Sequence, residues 1–268
     1  MRRTREIRRE AWTALWKDNW FWRLFAVSAL LGFVTGMVVL LVQTGFALGE
    51  VTDLGGYLGQ IREARENGGV APAMTPALGL HIAGATLFLW FIVLVFVSCA
   101  QFGVSSVQLK AARGQTGDWG ADVFAGYRRP LGLLVQSLLQ ILIILFWTLC
   151  LVVPGVIAFY RYRQTMFIRA DRPDQGAVDA LCASGRLMRG AKWRLFCLDS
   201  AFLGYALALV VLEVLAESLV KAAGGAVSAL MEPVLALCLG AAGVVLGQYF
   251  GLAQAIFYRD LVNEKGAA

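Results

Sequence analysis

The chain has 268 residues, of which 59% are apolar and only 16% charged, with a mean hydropathy of +0.66. Soluble domains carry about 45–50% apolar and about 25% charged residues. A soluble fold of this size could not bury such an excess, which excludes a disordered chain, a disulfide scaffold and an ordinary soluble enzyme. A net charge of +6 would suit nucleic acid in a soluble protein. Here, however, the basic residues lie between apolar runs, where anionic lipid and the insertion machinery select for them.

Taken in chain order, residues 1–22 read as an N-terminal amphipathic interfacial helix. Arg2–Arg23 hold six arginines, one lysine and four tryptophans. Trp12, Trp16 and Trp20 recur every four residues, which sets the indoles on one face at the headgroup level. Residues 23–262 read as one transmembrane helical domain. Leu24–Gly49, Asn67–Leu109, Pro130–Tyr160 and Pro233–Tyr258 contain no Asp, Glu, Lys or Arg, and Leu195–Ala216 carries only Asp199 and Glu213. A helix needs about 20 residues to cross the hydrocarbon core, so each stretch holds at least one span.

The run Pro130–Tyr160 is too long for one crossing, since at 1.5 Å per residue it would reach about 46 Å. Proline removes a donor and disfavours helix in the preceding residue, so Pro154-Gly155 reads as the outer turn of a hairpin. Eight Lys and Arg fall in residues 161–194 and four in 109–130. An out-and-back hairpin leaves both basic segments on the cytoplasmic side, as the positive-inside rule asks. The expected fold is therefore an all-α polytopic bundle of six spans, about 23–48, 79–108, 131–153, 155–170, 194–217 and 233–258, with cytoplasmic termini. An internal repeat agrees: Trp22-Arg23-Leu24-Phe25 and Trp193-Arg194-Leu195-Phe196 open two spans, and Phe102-Gly103 and Phe250-Gly251 close two others.

Gly243, Gly247 and Gly251 recur every four residues, a spacing that lets helix backbones approach closely in lipid. Arg161, Arg163, Asp199, Glu213 and Glu217 lie in or beside spans, where ionisable groups are costly. They read either as a polar cavity for an anionic solute or headgroup, with Arg163 facing Glu213, or as groups snorkelling to the interfaces. Asp171, Asp174 and Asp179 read as a solvated helix–loop face. The five cysteines, Cys99, Cys150, Cys182, Cys197 and Cys238, have no CxxC spacing and read as small apolar residues. His81 is the single histidine, and no metalloprotease, phosphate-loop or nucleophile-elbow motif occurs. No catalytic, cofactor-binding or metal-binding set is expected, and so no cofactor.

Residues 147–205 carry Val152-Val153-Pro154-Gly155, Phe167-Ile168-Arg169-Ala170-Asp171-Arg172-Pro173, Leu187-Met188-Arg189-Gly190 and Leu195-Phe196. This order resembles an uncharacterised bacterial multi-pass integral-membrane family, a domain of unknown function. That family is distantly similar to the membrane domain of glycerophosphoryl diester phosphodiesterases. Asp199 stands where the pattern has an apolar residue. The resemblance implies a bacterial inner-membrane location and brings no catalytic residues. The expected role is a non-enzymatic accessory or scaffold protein of the envelope, and the alternative is a small transporter or a lipid- or anionic-solute-binding protein. Its expected partners are membrane lipids, with other membrane proteins or a second copy, and no nucleic acid.

Overall fold

The computed structural model describes residues 4–16, 22, 25, 26, 29, 32, 36, 53–67, 76–115 and 119–266. Among them the regular structure is entirely helical: α1 (Thr4–Trp16), α2 (Asp53–Glu66), α3 (Pro76–Ala112), α4 (Trp119–Val123), a 3₁₀ turn (Phe124–Arg128), α5 (Pro130–Cys150), α6 (Val152–Tyr162), α7 (Thr165–Asp171), α8 (Ala177–Leu187), α9 (Lys192–Ala223) and α10 (Gly225–Lys265). The chain divides into two compact units, Leu31–Val97 and a larger one made of Met1–Leu30 with Ser98–Ala268. In the smaller unit α2 carries an exposed i,i+4 ion pair, Arg62 to Glu66, at 3.1 Å.

Among the described residues four helices are long and apolar enough to cross a membrane: Trp90–Ala112, Pro130–Cys150, Lys192–Val220 and Leu237–Lys265. They answer to four of the six expected spans. Large apolar side chains stay exposed along them, among them Leu131, Leu149, Leu207 and Leu237. The expected span 23–48 falls almost wholly outside the described residues, as does Trp20.

The expected span 155–170 is not one helix. Leu151 is extended (φ −164°, ψ 145°) and separates α5 from α6, so the break lies three residues before Pro154. Pro154 sits in the first turn of α6, where a missing N–H costs no intrahelical bond. Gly155 is not a turn residue either: its N–H donates to the Leu151 carbonyl at 3.2 Å. A Cβ there would stand 2.8 Å from Thr148 Cα, so this glycine lets the two limbs close on each other. The return limb then breaks again at Arg163-Gln164. At 11 residues α6 reaches about 16 Å, short of the roughly 30 Å core. The limb nevertheless comes back to the level it left, because Arg169 Nη1 in α7 donates to the carbonyl of Gly132 in the first turn of α5 (2.7 Å).

Interhelical contacts in the larger unit are close and partly polar. A Cβ on Gly103 of α3 would meet the Val123 backbone, and one on Gly126 would meet the Cys99 backbone. Ser98 donates to Ser137 at 2.9 Å and Gln108 to Gln248 at 3.0 Å, tying α3 to α5 and α10. α9 and α10 pair lengthwise beyond the turn at Gly224, whose φ of +64° favours a residue without Cβ. α1 lies on α10 with Ile7, Ala11 and Leu15 buried, while Trp12 and Trp16 stay about half exposed. Covering Ile7 and Leu15 is worth roughly 3–6 kcal/mol at most. All five cysteines are free, and only Cys99 is buried.

A candidate anion site at the basic end

The ends of several helices converge in the larger unit. Arg259 near the end of α10 donates to Glu10 of α1 (2.9 Å) and to the carbonyl of Ala112, the last residue of α3. Tyr249 donates to the Arg8 carbonyl at 3.2 Å. Lys265 Nζ donates to the carbonyls of Leu187 (2.9 Å) and Arg189 (2.7 Å), capping the C-terminal end of α8. Arg194, near the start of α9, pairs with Glu264 at 2.9 Å. One end of this unit thus gathers α1, the end of α3, the start of α5, α7, the start of α9 and the end of α10.

A cavity of about 490 Å³ opens in this region. Its lining includes Lys110, Arg113, Arg128, Arg129 and Arg169 against two carboxylates, Asp122 and Asp171, with Phe102, Leu109 and Leu133 on its apolar side. Both carboxylates are already engaged. Asp122 takes Lys110 Nζ on both oxygens at 2.7 Å. Asp171 accepts from Arg113 Nη1 at 2.6 Å and from the Tyr258 hydroxyl at 3.1 Å. Burial works to raise the Asp171 carboxyl, but the bond and charge of Arg113 and the Tyr258 hydroxyl outweigh it and hold the group below its ordinary value.

Arg169 is the unusual member. It is 5% exposed, and no carboxylate among the described residues pairs with it. Nη1 is spent on the Gly132 carbonyl and on Gln136 Oε1 at 3.1 Å, while Nε has no partner. A Cβ on Gly132 would stand 2.9 Å from Nη2, so that glycine makes room for the guanidinium. Arg128 is exposed and likewise without an ion pair among the described residues, whereas Arg129 reaches the exposed Asp174 at 2.7 Å. The arrangement offers fixed positive charge and free N–H donors, the chemistry of anion capture.

The residues expected to line a polar cavity do not form one cluster. Arg163, at the α6–α7 break, lies over Phe159 (5.0 Å) and Phe250 (5.7 Å) and within electrostatic reach of Asp199. Asp199 also takes hydrogen bonds from Gln254 (3.1 Å) and from Tyr160. Glu213 and Glu217 are exposed further along α9, with Glu213 14 residues and thus about 21 Å from Asp199. The carboxylate facing Arg163 is therefore Asp199, not Glu213. Arg161 points elsewhere, beside Gly185 and the Tyr162 ring. Asp199 and Glu213 do line a second cavity of about 490 Å³, between α9 and α10, together with Gly243 and Gly247. Those two glycines meet nothing within 4 Å among the described residues, and only Gly251 closes on a neighbour, the Gln108 carboxamide. Among the described residues the close approach expected of this face is seen at Gly251.

Sequence reasoning missed the basic cavity and took Asp171 for a solvated loop residue. The signal present was an arginine, Arg169, inside the otherwise apolar stretch Met166–Ala170. Among the described residues no group of three His, Cys, Asp or Glu side chains could hold a metal ion.

Four crossing-length apolar helices among the described residues fit a multi-pass helical membrane protein. Residues 80–265, about two thirds of the chain, match the family described as "Protein of unknown function (DUF975)". The chain belongs to that family. No curated protein and no solved structure matches it.

Proposed function

We propose that this chain is a non-enzymatic multi-pass protein of the bacterial inner membrane that binds an anionic solute or lipid headgroup at its basic end. The observation that carries the reading is Arg169, a buried guanidinium with no carboxylate partner among the described residues, on the wall of a cavity lined by five cations and two carboxylates. A buried unpaired charge is expensive, and an arriving anion relieves that cost. In a purely accessory or scaffold protein Arg169 would serve only to hold α7 against α5, which leaves its charge uncompensated, so the binding role takes precedence.

The orientation follows from charge. The basic segments 109–130 and 161–194 both contribute to the cavity, and α1 and the end of α10 lie at the same end. The positive-inside rule assigns that end, with both termini, to the cytoplasm. Six crossings then require α5 and the α6–α7 limb to act as one hairpin, with 23–48 supplying the first span.

Native mass spectrometry of the full chain, purified in neutral detergent with equal amounts of phosphatidylcholine and phosphatidylglycerol, tests the binding role. Preferential retention of the anionic lipid, reduced by Arg169→Gln, is expected; equal retention of the two lipids together with no binding of phosphatidic acid or inorganic phosphate refutes it. Reporter fusions after residues 120, 180 and 268 should read cytoplasmic and one after 225 periplasmic, and a periplasmic signal at 180 or 268 refutes the topology.

A further inference from the structure

We propose that the basic cavity selects a phosphate bearing two negative charges, as in a phosphomonoester headgroup or inorganic phosphate, over the single charge of a phosphodiester. This rests on the anion-binding role above and specifies its ligand class.

The argument begins with charge. Of the five cations on the cavity wall, Lys110 is bound to Asp122 and Arg113 to Asp171. Arg129 is held by Asp174, but this pair is exposed, with side chains 60% and 90% accessible. Such an exposed surface bridge is weak and yields readily to a better partner. Arg128 and Arg169 have no ion-pair partner among the described residues. Two uncompensated cations, with a third available, match a phosphomonoester, which carries about −1.5 to −2 at neutral pH. A phosphodiester, at −1, would leave one of them unsatisfied.

Donor geometry points the same way. The Gly132 carbonyl and the Gln136 carboxamide hold Arg169 in place through Nη1, leaving its buried Nε without a partner. A terminal phosphate presents three oxygens to guanidinium donors, which bind such groups through paired, charge-assisted bonds. A diester has only two unesterified oxygens. The position suits either source of the group. Phe102 and Leu109 lie in the crossing-length segment Trp90–Ala112 and Leu133 in Pro130–Cys150, while Lys110, Arg113, Arg128 and Arg129 stand at or just beyond the ends of those segments. The cavity therefore has an apolar side toward the hydrocarbon and a cationic rim at headgroup level, open to a lipid phosphate and to a dissolved one.

The test uses the full chain in neutral detergent containing phosphatidylcholine, at pH 8 and constant ionic strength. Affinities are read by native mass spectrometry and thermal shift for three probes: phosphatidic acid, phosphatidylglycerol and inorganic phosphate. Phosphatidic acid is expected to bind roughly tenfold more tightly than phosphatidylglycerol, the worth of one charge-assisted bond. Binding by phosphatidic acid alone identifies a lipid headgroup, and equal competition by inorganic phosphate identifies the dissolved ion. Equal affinity for phosphatidic acid and phosphatidylglycerol overturns the dianion selection and leaves anion binding standing; no binding by any probe overturns both. Arg128→Gln, at an exposed side chain that the fold does not need, should erase the preference for phosphatidic acid. Arg62→Gln, in the smaller unit, should leave it unchanged. Preference retained in Arg128→Gln overturns the proposal even if Arg169→Gln fails to fold.

Discussion

Three glycines in crossing-length helices should respond to the same substitution in three different ways. Replacing glycine by alanine within a helix gains about 0.8–1.0 kcal/mol from backbone entropy alone. At Gly247 a Cβ meets nothing within 4 Å among the described residues, so Gly247→Ala should raise stability by up to that amount. At Gly251 the new methyl falls on the Gln108 carboxamide, which must swing away from Gln248 and lose a 3.0 Å bond. An interhelical bond of this kind is worth about 0.6–2 kcal/mol in a membrane, and a stranded buried amide costs about 1–3 kcal/mol. Against the entropy gain, Gly251→Ala should lose roughly 1–3 kcal/mol. At Gly103 the methyl meets the Val123 carbonyl, which has no rotamer to escape into, so α3 and α4 must separate. Overpacking of that kind costs about 1–3 kcal/mol and at times more, so Gly103→Ala should also destabilise despite the entropy gain. Unfolding of the purified full chain in mixed micelles with increasing dodecyl sulfate gives the three free energies. A loss at Gly247 equal to that at Gly251, or a harmless Gly103→Ala, would refute the packing argument.

A double-mutant cycle should show Arg163→Met and Asp199→Asn coupled by about 0.5–3 kcal/mol, whereas Arg163→Met and Glu213→Gln should add within about 0.5 kcal/mol. Because the Asp171 carboxyl lies below its ordinary value of about 3.9, it contributes stability above that pH and loses it as acid titrates the folded group. Arg113→Gln should therefore flatten the fall in melting temperature below about pH 4; an unchanged acid limb would count against the pair. Lys265→Met removes both bonds that cap α8 and should cost about 1 kcal/mol, measurable by the same unfolding titration.

Hydropathy and length made four crossing-length helices legible, since burial in lipid leaves an uninterrupted apolar run that needs no partner to be recognised. The hairpin was legible too, but its corner was not. Pro154 argued for a break at itself, whereas a proline three residues into a helix forfeits nothing, and Leu151 turns the chain instead. The four-residue spacing of Gly243, Gly247 and Gly251 defines a face without saying what meets it, and only Gly251 has a neighbour among the described residues. The basic cavity was hidden for a different reason. Arg113 and Asp171 are 58 residues apart, and Arg169 and Gly132 are 37. Nothing local links them, and α7, at seven residues, is too short for periodicity to reveal which side is buried. Likewise Arg163 had several carboxylates within plausible reach, and only the pairing of α6 with α9 selects Asp199.

The docking of α1 on α10 sets an order of events during synthesis. Tyr249 lies 241 residues after Arg8, and Arg259 lies 249 after Glu10. At about 5–20 residues per second, the ribosome takes roughly 12–50 s to supply these partners after α1 has emerged. Throughout that interval Ile7, Ala11 and Leu15 lack the surface that finally covers them. A helix with one apolar face, rimmed by tryptophans and arginines, can wait at the lipid–water boundary. The face of α1 that the last helix finally covers is thus without that cover for most of synthesis, and closing it works as a clasp that marks the completion of the fold.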